Sequence, residues 1–239
     1  MHVVVNENLV RTRVRIASAA HIAALGVFAV GLVISWTNPQ PDWKEMAAAY
    51  TAIVLGLILY NVGQFFLRRY GPRIRQDATL AKTLKGLDRR FSLLAFPSTK
   101  LPDYIMVGPA GVQVIVGRTH NGNIICRANR WSREAGGGLK RLSGLLGGSP
   151  FGDPSADVSK GVEQVRRRLE QHGLAREQQP PVDGIVVFTS PAAKLRIDGC
   201  AYPVTGLKGL RNSVRGGKGS RDRVLDEQAA GRVVQALTG

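Results

Sequence analysis

Two apolar runs, Ile16 to Trp36 and Met46 to Leu67, constrain this chain more than any other feature. Each is nearly uncharged and approaches the ~20 residues with which an α-helix crosses ~30 Å of hydrocarbon. Between them TNPQPDWKE is short, polar and broken by proline, as suits the turn of a helical hairpin. Arg11, Arg13 and Arg15 precede the first run, and Arg68, Arg69, Arg73 and Arg75 follow the second, whereas the connection holds Lys44 alone. Positive charge gathers on the cytoplasmic side, so both ends of the hairpin are expected in the cytoplasm of a plasma-membrane protein, with only Thr37 to Glu45 outside. A cleaved signal peptide is the competing account of the first run. That run is too long, no small-x-small cleavage site follows it, and a second span stands directly behind.

The expected organisation is a cytoplasmic segment (1–15), a transmembrane hairpin (16–67), a basic juxtamembrane linker (68–76) suited to anionic lipid headgroups, and one domain (77–239). Ala20-x-x-x-Ala24 and Ala52-x-x-x-Gly56 offer small faces for packing the two spans. His21 and Asn61 fall at similar depth from the cytoplasmic end, and a neutral His21 hydrogen-bonded to Asn61 or Gln64 is the expected, structural arrangement. A proton pathway would need more such groups and more helices.

Charge separates the two parts. The chain carries +16. Residues 1–67 hold four basic and three acidic side chains, so the remainder carries +15, which directs attention to an anionic partner: nucleic acid or a bilayer surface. Cys126 and Cys200 lie far apart and belong to no Cys-x-x-Cys or Cys/His cluster with zinc spacing. They are expected as small buried hydrophobes in a reducing compartment, a disulfide being the lesser alternative.

In the domain, Leu80, Leu84 and Leu87 share one face of a helix spanning Asp77 to Arg90, and Phe91 to Phe96 reads as a strand. Leu101 to Trp131 is the densest run of strand signals. It reads as a three-strand meander over Tyr104–Val107, Val112–Val116 and Asn123–Ala128, with turns at Pro109-Ala110-Gly111 and His120-Asn121-Gly122. Residues 136–157 are rich in glycine and read as a disordered spacer, a flexible flap beside the site being the lesser alternative. Neither that run nor Gly216-Gly217-Lys218-Gly219 has the Gly-Lys-Ser/Thr of a phosphate-binding loop. Val158, Val162, Val165 and Leu169 define a further amphipathic helix, Ile185 to Phe188 a buried strand of a mixed or parallel sheet, and Ser220 the cap of a last helix bearing Val224, Val233 and Leu237.

Asp103 opening the first strand of the meander, followed by Gly111, Asn121, Gly122 and Trp131, resembles the nuclease-related domain family. The resemblance implies a restriction-endonuclease-like α/β fold, a mixed sheet flanked by helices in the order helix, strand, strand, strand, helix, strand over Asp77 to Thr189. It also implies a site at Asp103, a Glu-x-Lys on the next strand and a Gln on the following helix, which is Gln164. Val116 and Arg118 occupy the Glu and Lys positions. Mg²⁺ in such a site needs a second carboxylate, and an arginine cannot deprotonate to activate water. The expectation is a degenerate nuclease-related domain that binds nucleic acid or a protein partner, with Arg118, Arg127, Arg130, Arg166, Arg167 and Arg168 as phosphate contacts and no metal ligand set. For the arginine run on the helix, a solvated face with a Glu163–Arg167 pair is the alternative. An active Mg²⁺-dependent nuclease with its acid relocated to Glu163 or Asp77, and a module held on anionic lipid, are the other readings.

Overall fold

The computed structural model describes residues 1–37, 42–72, 75–134, 151–174, 179–216 and 225–239. Residues 7–75 form one compact unit, and residues 1–6 together with 76–239 form the other.

The first unit is a helical hairpin of α1 (Glu7–Thr37) and α2 (Trp43–Tyr70). Both helices outrun the apolar stretches, so Arg11, Arg13 and Arg15 of the N-terminal segment and Arg68 and Arg69 of the expected linker are helical. A helix once started adds one hydrogen bond per residue whatever the side chain. A capping box sets the start of α2: the Asp42 carboxylate accepts from Trp43 N (2.7 Å), and Glu45 accepts from Asp42 N (3.3 Å).

The two helices meet through glycine notches. A Cβ built on Gly56 would lie 2.5 Å from the Phe28 ring, one on Gly63 2.8 Å from the His21 ring, and one on Gly31 3.0 Å from the Ala52 methyl. Gly56 and Gly63, like Phe28 and His21, are two helical turns apart, so knobs and notches share one stripe. His21 therefore does not bond Asn61 or Gln64, as the sequence suggested. It fills the Gly63 notch edge-on to Tyr60, 5.3 Å between centroids, while Asn61 donates to Leu57 O (2.7 Å) and Gln64 to the Tyr60 hydroxyl (3.1 Å). Arg75 and Glu7 pair at 3.0 Å. Both helices are long and apolar enough to cross a membrane, and only 17% and 11% of their apolar windows are buried, unlike core helices of a packed domain.

The second unit is mixed α/β. A six-stranded sheet has the order β1 (His2–Val5), β2 (Ser92–Ala95), β3 (Tyr104–Gly108), β4 (Gly111–Arg118), β7 (Val182–Phe188), β9 (Val204–Gly206). β2, β3 and β4 are antiparallel, β7 runs parallel to β4 and β9 to β7, and β1 lies parallel to β2. Side chains alternate across this sheet. Leu94, Ile105, Val114, Val186 and Phe188 meet the buried stripe of α4 (Pro154–Gln171) and Val233 and Leu237 of α6 (Glu227–Thr238) on one face. The opposite face is covered by α5 (Leu207–Arg215), which packs in turn on α3 (Asp77–Leu84); Leu80, Leu84, Leu210 and Val214 are buried there. Gly111 makes the β3–β4 turn possible: its φ is +116°, and a Cβ there would run into Pro181 O.

Several expectations are corrected. The meander stops after two strands: β5 (Gly122–Arg127) leaves β4 and joins β6 (Arg130–Glu134) and β8 (Ala193–Asp198) in a second sheet ordered β6-β5-β8. The β5–β6 turn places Ala128 and Asn129 at φ +46° and +61°, the backbone of a two-residue hairpin loop. The first domain helix ends at Leu84, and Gly86 at φ +96° breaks it before Arg90. The glycine-rich segment does not reach Asp157, because Asp153 caps α4 from Ser155 N and Ala156 N; residues 135–150 lie outside the described residues. The last helix is capped by Asp226 through Ala229 N (2.6 Å), while Ser220, Val224 and the Gly217-Lys218-Gly219 stretch also lie outside them. Residues 2–5, taken as part of a cytoplasmic segment, are a strand of the main sheet.

The cysteines are corrected as well. Cys126 and Cys200 form a disulfide, with Cα atoms 6.2 Å apart. Parallel pairing sets Cys126 beside Ile197, and the turn through Gly199 brings Cys200 back to it.

Candidate functional site

Tyr104 stands opposite Ile115, so Asp103 at the head of β3 comes level with Val116, and Arg118 closes β4 two residues further on the same face. α4 lies over this end: a Cβ on Gly161 would touch Val114 at 2.8 Å and Pro102 at 2.9 Å, and Gln164, half-buried, follows one turn later. The hairpin and α4 thus gather Asp103, Val116 and Arg118 at one end of the sheet beneath the helix that bears Gln164.

What Arg118 does there was not foreseen. Its guanidinium pairs with the carboxylate of Asp157 in the first turn of α4. Its carbonyl accepts from Thr189 N (2.8 Å), which ties the ends of β4 and β7 together. Arg118 is 23% and Asp157 52% exposed, so the pair closes the rim of the site. Beside it, Trp131 from β6 donates to Ser155 Oγ (2.8 Å) and stands 6.2 Å from both Phe151 and Phe188, while His120 meets Phe151 edge-on at 5.2 Å. Trp131 is thereby the rivet between the small sheet and the large one. Asp157 had one legible sign, an acid in the first turn behind an Asp-Pro-Ser helix start, but its partner is 39 residues away.

These residues do not fit a divalent cation. Val116 packs its methyls against the apolar core where a ligand oxygen would be needed, and Arg118 brings a fixed positive charge to the same strand end. Among the described residues, no three His, Cys, Asp or Glu side chains are grouped so as to hold a metal ion.

The other nominated arginines part company. On α4, Arg166 donates to Val182 O (3.2 Å) and Arg168 to Ala236 O (3.2 Å), so both bind the helix to its neighbours, and Arg167 pairs with Glu163 at 2.9 Å in the i, i+4 pattern. Arg127 and Arg130 are direct partners in the β5–β6 register, and both are exposed. Register puts Lys194 level with Asn123, Arg196 with Ile125 and Asp198 with Arg127. Arg127, Arg130, Lys194 and Arg196 therefore share the outer face of the small sheet, four exposed cations on a face where the register also places the acids Asp198 and Glu134, while Ile124, Cys126, Trp131 and Leu195 turn inward. Lys194 and Arg196 were missed. Their signal was the alternation Lys-Leu-Arg-Ile-Asp, a half-buried strand with polar residues on one side.

Compared with family models, curated proteins and solved structures, the chain matches none.

Proposed function

We propose that this chain is a membrane-anchored, catalytically degenerate nuclease-related domain of the restriction-endonuclease-like fold, which binds nucleic acid through its phosphate backbone. The observation that carries the binding reading is the outer face of the small sheet. Four exposed cations on three adjacent strands, ~4.8 Å apart from strand to strand, offer a flat, charged platform to a polyanion. Degeneracy is supported by Val116, partly buried against the core, and by Arg118 paired with Asp157. The fold reading draws support from the neighbour order β2-β3-β4-β7, antiparallel in its first three strands and parallel in its last, with β5, β6 and α4 in the connection from β4 to β7.

Sidedness follows from two facts that pull apart. β1 pairs with β2, so the segments before and after the hairpin belong to one folded unit, and the flanking arginines favour the cytoplasm for it. The Cys126–Cys200 disulfide is the kind of bond that persists in oxidising compartments. We give the arginines the greater weight, since they act at insertion, whereas a dithiol can be opened and closed afterwards.

The test is fluorescence anisotropy on the full chain in neutral-lipid nanodiscs, with labelled single-stranded and duplex DNA over a salt series. The wild type should bind with a strong salt dependence. Replacing Arg127, Arg130, Lys194 and Arg196 by Gln should flatten the slope by about 3 to 4 units, each phosphate contact contributing about 0.9. An unchanged slope would remove the platform from the account.

A further inference from the structure

The face of the large sheet opposite α4 holds a cavity of about 410 Å³ between β4, β7 and α5, within the range of small-molecule sites. Gln113 and Asp183 are register partners on the parallel strands β4 and β7, so their side chains rise side by side from its floor. Asn212 and Ser213 from α5 form the wall.

The polar character of this recess is that of an acceptor. Asp183 receives Gly184 N on one oxygen (2.8 Å), and among the described residues no cation pairs with it. Gln113 Oε1 is buried with no partner among them, and its Nε2 reaches Val214 O only at 3.5 Å, so turning this amide toward a ligand sacrifices little. α5 ends beside the cavity at Gly216, whose N–H donates to Asn212 O (2.9 Å), and brings there the negative pole of a helix C-terminus. Of the two arginines on that helix, the half-buried Arg211 donates to Thr83 O (3.3 Å) and to Lys85 O, and Arg215 is exposed. In a chain of net charge +16, a carboxylate, an unsatisfied amide oxygen and a helix C-terminus converge on a cavity whose described lining includes no Lys or Arg.

We propose that this cavity binds a small organic cation, an amine or guanidinium, whose N–H groups are received by Asp183 and Gln113 beside the negative end of α5. A carboxylate supplies the charge, and a planar or tetrahedral cluster of donors matches the several oxygens better than a single hydroxyl could. The site is on the other face of the sheet from Asp103 and Arg118 and stands apart from the polyanion platform, so it neither needs nor supports nucleic-acid binding.

The experiment is calorimetric titration of the full chain in neutral-lipid nanodiscs with agmatine, which carries a guanidinium and an ammonium, and with glutarate as an anion of similar length. Agmatine should bind saturably and glutarate should not. Asp183→Asn keeps the shape and the acceptor for Gly184 N, and it should weaken agmatine at least about tenfold, the loss of one charge-assisted hydrogen bond. Ser213→Tyr, which fills the cavity from the wall, should abolish binding, and it keeps the proposal testable if the Asp183 variant does not fold. No saturation by agmatine up to about 10 mM, equal affinity in wild type and the folded variants, or glutarate binding as tightly as agmatine would each overturn it.

Discussion

The guanidinium of Arg118 at the end of β4 is held by the carboxylate of Asp157 from the first turn of α4. This pair bridges strand and helix over the place where a divalent cation would have to sit, and it gives Arg118 a structural duty. The carboxylate is half exposed, so water screens the interaction and its net worth is about 1 kcal/mol or less.

Asp157→Ala should therefore lower the stability of the domain by about 1 kcal/mol, seen as a fall of roughly 2–4 °C in thermal unfolding. Arg118→Ala should do about the same and leave DNA affinity within about twofold, and the double variant should be no worse than either single one, as expected of coupled partners. A large loss of affinity with Arg118→Ala at unchanged stability would make it a phosphate ligand instead.

The helical hairpin has its own test. Gly56→Val places methyls against the Phe28 ring, where even one Cβ comes within 2.5 Å, and should cost about 1–3 kcal/mol by overpacking. Phe28→Ala in the same chain should restore most of that loss. Thermal unfolding of the detergent-solubilised protein measures both, and an additive double variant would mean that the two side chains do not meet.

How far residues reveal structure can be read from particular elements. α4 was legible because Val158, Val162, Val165 and Leu169 repeat at helical spacing and all four are buried. β7 was legible because a strand covered on both faces is an unbroken apolar run. Asp103, Val116 and Arg118 could be grouped in advance because a hairpin register is local. β1 was not legible, because its partner β2 is about ninety residues away, and neither was the departure of β5, because the strand it prefers, β8, comes some seventy residues later. Cys126 and Cys200 meet only through that same long-range pairing. The arginines of α4 could be nominated by charge, but only the fold shows that Arg166 and Arg168 are occupied by the carbonyls of Val182 and Ala236.

Those two arginines yield a contrasting prediction. Arg166→Gln and Arg168→Gln should each leave the salt slope of DNA binding within experimental error and lower stability by about 1 kcal/mol, since each loses a charged donor to a partly buried carbonyl. Reduced slope at full stability would return α4 to the binding surface.

Sidedness can be decided in cells. In a chain carrying Cys126→Ser and Cys200→Ser, a cysteine at Gln40 should react with an impermeant thiol reagent and one at Gln235 should not. A reducing cytoplasm opens a fraction of the Cys126–Cys200 disulfide, so rapid alkylation in intact cells should trap free thiols there. Labelling at position 235 with an oxidised native pair would reverse the orientation and take the domain away from cytoplasmic nucleic acid.

The most direct test of the central claim is a cleavage assay on the full chain with Mg²⁺ or Mn²⁺ and both single-stranded and duplex DNA. With an arginine and a partly buried valine at the end of β4, binding without cleavage is the expected result. Metal-dependent cutting by the wild type that disappears in Asp103→Ala would contradict the account.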